Sequence, residues 1–279
     1  MSLLALAMGG GYGHASRVAA ARWTLQVTAP TLVVVSDPHL PEALAPGCSL
    51  ISPPAAVRSR AELRAWVRDL LAEQAPDEVW VDAFPVGVLG ELTDDLFEDR
   101  PLRHLARRLR WDSYVRRLTI HPPRYDTVWV TEELEPAHRA WLAADSGVLE
   151  PLALSDPPLD PGPAAAVDLP EGVWLVIHSG PLQEVAQLVA VARAYASGPI
   201  VIIAPGEGLR LPGVHAWLQV IPAAPLADRP EVAGVVTAGG TASLRQYRHL
   251  GDRHIVVPLR RPLDDQAWRA AHRFSGSQG

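Results

Sequence analysis

The sequence predicts an α/β protein made of two domains, each with a parallel sheet. Short apolar runs alternate with helical patterns along the chain, as they do where parallel strands are joined by helical crossovers. Six prolines interrupt this pattern within residues 151–170, after which the alternation begins again. We therefore expect an N-terminal domain over 1–150, a semi-rigid linker over 151–170 and a C-terminal domain over 171–279, with the cleft between the domains as the default site.

Composition narrows the possible functions. The 279-residue chain has a net charge of −6 at pH 7, which argues against a general nucleic-acid binder. Its 25 basic residues are all arginine, so chemistry that needs a P-loop or Schiff-base lysine is excluded. Cys48 is the only cysteine, which excludes an internal disulfide and a multi-thiolate metal site. The chain lacks a run of roughly 20 apolar residues and a signal-peptide start, so we expect a cytoplasmic protein.

The N-terminal half is predicted to contain five strands and two helices. The strands are Leu3–Met8, Thr31–Ser36, Cys48–Ser52, Glu78–Asp82 and Thr127–Thr131, and the helices are Ala15–Gln26 and Ser59–Gln74. Ser59 is expected to cap the second helix, with Glu62 three residues later as its capping-box partner.

The C-terminal half repeats the alternation. Predicted elements are Val173–His178, Leu182–Tyr195, Ile200–Ala204, Ala216–Ile221, Val232–Thr237, Thr241–Leu250, His254–Pro258 and Leu263–Phe274. Strands and helices again follow each other one by one, which predicts a second parallel sheet.

An arginine-rich run, Arg100–Arg117, lies between the predicted strands of the first half. Arg103, Arg107 and Arg110 recur at helical spacing, which is typical of a solvated helix face. The alternative is peripheral contact with an anionic acceptor or a membrane surface.

The first predicted strand is followed by a glycine-rich loop that ends in a histidine. Glycines there let the backbone approach a ligand, and the next helix offers free amides to an anion, so Gly11 and Gly13 are candidate phosphate contacts. His14 would lie at the carboxyl end of the sheet, where open α/β folds bind ligands, and is a candidate acid/base. Arg17 shares its helix face and would hold phosphate or lower the pKa of His14; the alternative is a surface arginine.

Other polar residues are expected near the same edge. Asp82 ends a strand and is a candidate to orient His14 or an acceptor, or else to cap a helix. Gly239, Gly240 and Thr241 repeat the glycine turn before a helix and are candidate phosphate contacts, although Thr241 also suits a capping role. Asp265 and Gln266 open the last predicted helix, where they suit ligand hydroxyls or a solvated first turn. We expect neither a metal nor a cofactor.

The segment Gly10–Arg17, which reads Gly-Gly-x-Gly-His-x-x-Arg, resembles the loop of nucleotide-sugar enzymes with the GT-B fold. The similar proteins are bacterial N-acetylglucosaminyltransferases of lipid II synthesis, predicted glycosyltransferases of that group and short related hydrolases. Val81–Gly87 with Glu91-Leu92 resembles a segment of the predicted transferases. Thr237–Thr241 with Asp264–Gln266 is similar to their donor site. The resemblance implies two compact Rossmann-like domains facing across a cleft.

The resemblance also implies a reaction: transfer of a sugar from a nucleotide-diphosphate sugar to an acceptor hydroxyl. His14 would be the base, and Ser179 and Gly180 resemble a diphosphate-contacting turn. The transferases typically hold the ribose with a glutamate after the second glycine motif, where this chain has Arg245, which would meet a phosphate instead. The alternatives are hydrolysis of the nucleotide sugar and binding without catalysis.

Overall fold

The protein is described from a computed structural model, which covers residues 1–37, 39, 44–97, 100–119, 121–160, 162–205, 214–219 and 223–272. The chain divides into two compact units. Unit 1 comprises Met1–Pro157 with Pro262–Asp264, and unit 2 comprises Pro158–Arg261 with Asp265–Gly279. The division at Pro157 falls inside the proline-rich stretch 151–170 that we expect to be a linker.

In the described part of unit 1, one parallel sheet is surrounded by helices. Its strands are β1 Leu3–Leu6, β2 Thr31–Val34, β3 Cys48–Ile51, β4 Glu78–Asp82, β5 Leu102–Ala106, β6 Thr127–Val130 and β7 Val148–Pro151. Its helices are α1 Gly13–Thr24, α2 Arg60–Gln74, α3 Trp111–Tyr114 and α4 Pro136–Asp145. The strand order is β3-β2-β1-β4-β5-β6-β7.

The described part of unit 2 has the same plan on a smaller scale. Its strands are β8 Val173–Ile177, β9 Ile200–Ile203, β10 Val214–Leu218, β11 Val232–Ala238 and β12 His254–Val257. Its helices are α5 Gly162–Ala165, α6 Leu182–Tyr195, α7 Ala224–Ala227, α8 Thr241–Gln246 and α9 Gln266–His272. The strand order is β10-β9-β8-β11-β12, and each pair of neighbours is parallel.

Apolar side chains on both faces explain why β1 lies inside its sheet. Leu4 and Leu6 pack into one core together with Val81, whereas Leu3 and Ala5 pack into a second core on the opposite face. A strand buried on both sides reads as a continuous apolar run, and each fully buried leucine stabilises the fold by about 1.5–3 kcal/mol. The run 3–6 therefore specifies a central strand.

The capping box predicted for α2 is confirmed. The Ser59 side chain accepts a hydrogen bond from the Glu62 amide, and the Glu62 carboxylate accepts one from the Ser59 amide. These bonds satisfy two amides that a helix start leaves without partners, so α2 begins directly after Ser59. The strand Glu78–Asp82 and the helix Leu182–Tyr195 are also confirmed at their predicted bounds.

The helix predicted for the arginine run is wrong. Leu102–Ala106 is the buried strand β5, between β4 and β6. Arg103 donates to Glu78 and, over 2.9 Å, to the Thr127 hydroxyl. Arg107 is buried and donates to the Asp264 carboxylate. Two of the three arginines therefore bind internal acceptors rather than line a solvated helix face.

Other differences from the sequence prediction are smaller. The strand β7 and the helices α3, α4, α5 and α7 were not expected, and α9 begins at Gln266 rather than at Leu263. The expected ends at Ile221 and Phe274 lie outside the described residues. None of the described helices is long and apolar enough to cross a membrane.

Candidate active site

The two sheets place their polar residues by the same rule. In unit 1 the strand order reverses between β1 and β4, and in unit 2 it reverses between β8 and β11. Loops that leave neighbouring parallel strands on opposite sides of such a point open a crevice at the carboxyl edge, where α/β proteins bind ligands. The residues that follow β1, β4, β8 and β11 are therefore the candidate site residues.

His14 and Asp82 meet at the crevice of unit 1. The Nδ1–H of His14 donates to the Asp82 carboxylate over 2.7 Å. His14 lies in the first turn of α1, and Asp82 is the last residue of β4. Because a carboxylate only accepts, it fixes the imidazole tautomer with the proton on Nδ1 and the lone pair on Nε2.

Arg17 completes the cluster from the next turn of α1. Its Nε donates to one oxygen of Asp82 over 2.5 Å, and its Nη2 donates to the other oxygen over 2.9 Å. Asp82 is 2% exposed, Arg17 3% and His14 6%. The structure therefore brings the three predicted residues together and holds Arg17 against Asp82, not at the surface.

Burial and charge set the protonation of this cluster. Burial opposes ionisation of Asp82, but the Arg17 charge and the hydrogen bonds from His14 and Arg17 outweigh it and keep the pKa of that carboxyl well below its usual value. Burial lowers the pKa of His14 below its usual value; Asp82 opposes this, and Arg17 and Arg107 add to it. The site therefore contains an ionised carboxylate beside a neutral imidazole at pH 7.

Gly9 leaves room for the imidazole. A Cβ on Gly9 would overlap the His14 ring, at its Nε2, Cε1 and Cδ2 atoms. The Gly9 amide is held by the Ser36 hydroxyl over 2.9 Å. The Phe84 ring lies 5.4 Å from the His14 ring, and the Arg107 guanidinium lies 5.6 Å from the Phe84 ring centre. The edge of the His14 ring that carries Nε2 therefore lies next to the Gly9 backbone, which has no side chain there.

The loop after Asp82 is held in a strained conformation. Ala83 has a φ of 63°, in the left-handed region that alanine rarely adopts. The fully buried Glu91 accepts from the Leu89 amide over 2.8 Å, and the Tyr114 hydroxyl donates to the Gly87 carbonyl over 2.7 Å. A Cβ on Gly87 would overlap the Glu91 carboxylate. These contacts fix the path of the chain that carries Asp82.

The predicted phosphate glycines of unit 1 line the turn into α1. Gly11 has a φ of 78°, which favours glycine, and α1 begins at Gly13. A Cβ on Gly13 would meet no atom within 4 Å. The backbone is thus accessible there, as close approach to an anion requires.

A second histidine–carboxylate–arginine cluster lies in unit 2. The ring of His178, which follows β8, is 2.7 Å from the Glu184 carboxylate through Nε2. Arg261 donates to both oxygens of Glu184, over 2.5 Å to Oε2. The hydrogen bond from Arg261 is the main cause that lowers the pKa of Glu184 to about 2, and burial lowers the pKa of His178. A Cβ on Gly180 would overlap His178 and crowd Glu184.

The second glycine motif contacts the last helix. A Cβ on Gly239 would lie 3.0 Å from the Gln266 carbonyl, whereas one on Gly240 would meet nothing within 4 Å. Gly240 caps α8, which starts at Thr241. The buried Arg269 donates to the Gly239 carbonyl over 2.9 Å. Gly240 and the start of α8 therefore present open backbone, and Gly239 does not.

The remaining candidate site residues of unit 2 differ in burial and in hydrogen bonding. Gln266 is buried and accepts from the Leu259 amide over 3.0 Å. Asp265 accepts from the Trp268 amide over 3.2 Å, as a helix-capping residue does. Arg245 is in the last turn of α8, and Ser179 is half-buried beside His178. In the described residues, no three histidine, cysteine or acidic side chains are grouped to hold a metal ion.

The sequence does not point to Glu184, Arg261 and Arg269, and it favours a solvated helix face for Arg107, which the structure buries. Arg261 is 77 residues from Glu184 in sequence, and Arg107 is 157 residues from Asp264, so no local spacing signals either pair. Only the symmetry of the two units offers a hint, because each first strand is followed by a glycine and a histidine.

Comparison with solved structures shows the GT-B fold of nucleotide-sugar glycosyltransferases. The chain is similar to the glycotransferase of kitacinnamycin, with a TM-score of 0.59, 16% identity and coverage of 98% of this chain and 84% of that one. For the glycosyltransferase SsfS6 of Streptomyces sp. SF2575, complexed with thymidine diphosphate, the TM-score is 0.58 and the identity 14%. That match covers 99% of this chain and 85% of the SsfS6 chain. For MurG of Acinetobacter baumannii the TM-score is 0.52 and the identity 11%, with coverage of 98% of this chain and 82% of the MurG chain.

No protein-family model matches the sequence, and no curated protein matches it either. At 11–16% identity the solved structures establish the fold of the chain, which is the α/β class with two parallel sheets that the sequence predicts.

Proposed function

We propose that this protein is a glycosyltransferase that moves a sugar from a nucleotide-diphosphate sugar to an acceptor hydroxyl. The observation that carries the proposal is the buried His14–Asp82 pair at the crevice of unit 1. It has the parts of a general base: a neutral imidazole, an ionised carboxylate that fixes its tautomer, and an Nε2 lone pair beside the bare backbone of Gly9.

The reaction needs a proton acceptor and an electrophile. Nε2 of His14 takes the proton of the acceptor hydroxyl, whose oxygen attacks the anomeric carbon while the bond to the diphosphate breaks. Asp82 keeps Nδ1 protonated and stabilises the imidazolium that forms, as carboxylates do in histidine-base sites. The diphosphate leaves with the electron pair of the broken bond, and its charge must be stabilised by the protein.

For the diphosphate we propose the turns of unit 2 as the main site. Gly240 and Thr241 offer open backbone at the start of α8, and Ser179 and Gly180 lie after β8. Gly11 and Gly13 offer the start of α1, while Asp265 and Gln266 are proposed for sugar hydroxyls. A similar solved structure holds thymidine diphosphate, which supports a nucleoside diphosphate as the ligand class.

Arg245 is proposed to contact phosphate where related transferases carry a ribose-binding glutamate. In that case ribo- and deoxyribonucleoside diphosphates bind with similar affinity, because no buried carboxylate loses a partner when the hydroxyl is absent. Isothermal titration with both nucleotides measures this. A tenfold preference for the ribonucleotide assigns ribose recognition to another residue.

The deciding experiment incubates the protein with a panel of nucleotide sugars, with and without acceptor alcohols. A transferase releases nucleoside diphosphate only when an acceptor is present and forms a new glycoside. Free sugar without acceptor identifies a hydrolase, and saturable binding without turnover identifies a binding protein. We propose a metal-independent reaction, so turnover should persist in EDTA at the level of the untreated protein.

A further inference from the structure

Polar groups of unit 1 other than the proposed base include Arg17 beside Asp82, the buried imidazoles His104 and His138, and Arg22 beside Cys48. Arg17 has the firmest geometry. Both of its bonds to Asp82 are direct, and both partners are at most 3% exposed. The role that this geometry gives Arg17 goes beyond the identity of the base.

The Asp82 carboxylate binds both the Arg17 guanidinium, which is a cation, and the His14 imidazole, which becomes one when it accepts a proton. Oδ1 of Asp82 accepts from Nε of Arg17, and Oδ2 accepts from both Nη2 of Arg17 and Nδ1 of His14. The planar guanidinium binds a carboxylate through two parallel bonds, which fixes its plane as well as its position. The orientation of the imidazole therefore depends on the Asp82–Arg17 pair as a unit.

The charge of the pair matters as much as its orientation. An isolated buried carboxylate would strongly stabilise the imidazolium form of His14, so that the base would be protonated before the acceptor arrived. A carboxylate already neutralised by a guanidinium attracts a second positive charge less. Asp82 has two effects on His14: it accepts the Nδ1 hydrogen bond, and its charge stabilises the imidazolium form. Arg17 leaves the hydrogen bond in place and reduces the stabilisation of the imidazolium.

We propose that Arg17 is a positioning residue that holds Asp82 in the plane of His14 and withholds part of its charge, so that His14 remains a neutral base in a buried site. The role concerns the base of the proposed function and rests on it. The residue acts through Asp82 and is not required to touch a substrate.

The other charged and titratable groups near His14 are few in the described structure. Arg107, which follows β5, adds positive charge and lowers the pKa of His14 further. His104, on β5, is buried and has a pKa of about 4, so it is neutral at pH 7. Asp82 from β4 and Arg17 from α1 are therefore the neighbouring charges of opposite sign that act on the pKa of His14, in addition to the lowering by burial.

The test is the titration of His14, followed by NMR of protein with labelled histidine and independently of turnover. Arg17→Gln keeps a hydrogen-bond donor but removes the charge, and we expect the His14 titration to move up by about one pH unit or more. Arg17→Lys keeps the charge but loses the two-bonded geometry, so the titration should move less while kcat falls. In an Asp82→Asn background, Arg17→Gln should shift it less than in wild type.

The matched control is Arg22→Met, which removes another arginine of α1 that donates to backbone carbonyls and to Cys48. It should leave the His14 titration unchanged. An unmoved or lowered titration in folded Arg17→Gln overturns the proposal, as does an equal shift in the Asp82→Asn background. If Arg17→Gln does not fold, a full-sized shift in Arg17→Lys overturns it.

The pH dependence of turnover then connects the two proposals. The acid limb of kcat/KM should move with the His14 titration in Arg17→Gln. If His14→Ala turns over like wild type, the base assignment fails, while the titrations still decide what Arg17 does to Asp82. The two failures are therefore distinguishable.

Discussion

The cluster of His14, Asp82 and Arg17 and the cluster of His178, Glu184 and Arg261 contain the same chemical groups. In each the histidine follows the first strand of its sheet, β1 or β8, but the carboxylate comes from the end of a strand in unit 1 and from the helix α6 in unit 2. In each, a carboxylate is bound by an arginine through two bonds and by a histidine through one. In each, a glycine without a side chain faces the ring. The clusters differ in which ring nitrogen contacts the carboxylate and in how deeply they are buried.

That difference leads us to expect different roles for the two clusters. In unit 1 the carboxylate takes Nδ1, which leaves Nε2, the nitrogen farthest from the main chain, for a substrate. In unit 2 the carboxylate takes Nε2, which leaves only Nδ1, beside the histidine's own backbone. The Arg261 side chain is also 31% exposed, against 3% for Arg17, so solvent weakens its pairing. We therefore expect catalysis from the first cluster and ligand positioning from the second.

The sharpest test of this comparison is removal of each imidazole. His14→Ala should lower kcat by about 10²-fold or more with nucleotide affinity within a few-fold, as loss of a general base does. His178→Ala should change kcat by less than about tenfold and act mainly on the KM for the donor. Steady-state kinetics and calorimetric binding of both variants measure this. Equal losses of kcat would remove the distinction between the clusters.

The glycines that face the two rings offer a second pair of variants. Gly9→Ala places a methyl group against His14 and should lower kcat about 10²-fold, since small displacements of catalytic groups cost that much. Gly180→Ala meets the ends of two longer side chains and should mainly weaken donor binding. Circular dichroism confirms folding of each variant. A Gly9→Ala variant with normal kcat would show that the His14 position tolerates displacement.

The glycine pair before α8 separates binding from stability within unit 2. Gly240→Val adds a side chain where the space is open, so donor affinity should fall about tenfold or more while Tm is unchanged. Gly239→Val meets the Gln266 carbonyl and should lower Tm as well. Thermal melts and nucleoside-diphosphate titrations distinguish the two. Normal affinity of Gly240→Val would place the phosphate site elsewhere.

Unit 1 also carries two buried imidazoles that respond to acid. Burial lowers the pKa of His104 to about 4 and that of His138 to about 3, against about 6.5 in an unfolded chain. The unfolded state therefore binds protons first as the pH falls. The free energy of unfolding should decrease below about pH 6.5, by about 1.4 kcal/mol per pH unit for each group, and level off near the folded pKa.

His138→Phe tests that linkage with the smallest expected effect. The ring stacks on Trp111 at 4.3 Å, and neither nitrogen has a hydrogen-bond partner among the described residues. A phenyl ring keeps the stacking and removes the unsatisfied polar atoms, so urea denaturation should show a gain of about 1 kcal/mol at pH 7 and a flatter acid dependence. His215→Phe, at an exposed position, is the control and should change neither quantity.

Much of the fold was predictable because its signals are local. Residues only a few positions apart determine the capping box at Ser59, the apolar run at Leu3–Leu6 and the two glycine turns. The strand β5 was missed because Arg103 and His104 are polar in a buried strand. Their partners, Glu78 and the Val81 carbonyl, belong to a different strand, and only the folded sheet brings them together.

In the candidate site, too, the residues with a local sequence signal could be predicted and those without one could not. His14 and Asp82 were predicted from their places after strands, and the structure brings them into contact. The two hydrogen bonds from Arg17 to Asp82 cannot be predicted from the sequence, although the spacing places Arg17 on the helix face of His14. Glu184 and Arg261 carried no signal, because a glutamate in the first turn of a helix is common in any sequence.

The segment Pro262–Asp264 has a consequence for the order in which the protein is made. It belongs to unit 1, where the Leu263 carbonyl accepts from the Arg110 amide over 3.0 Å and its side chain packs against the apolar cluster that includes Phe84. Asp264 binds the buried Arg107 there. On the ribosome, this segment emerges only after every strand of unit 2 has been synthesised. Domains generally complete their folding in N-terminal to C-terminal order. Here the N-terminal unit can form the ion pair between Arg107 and Asp264 only after the described strands of unit 2 have been synthesised.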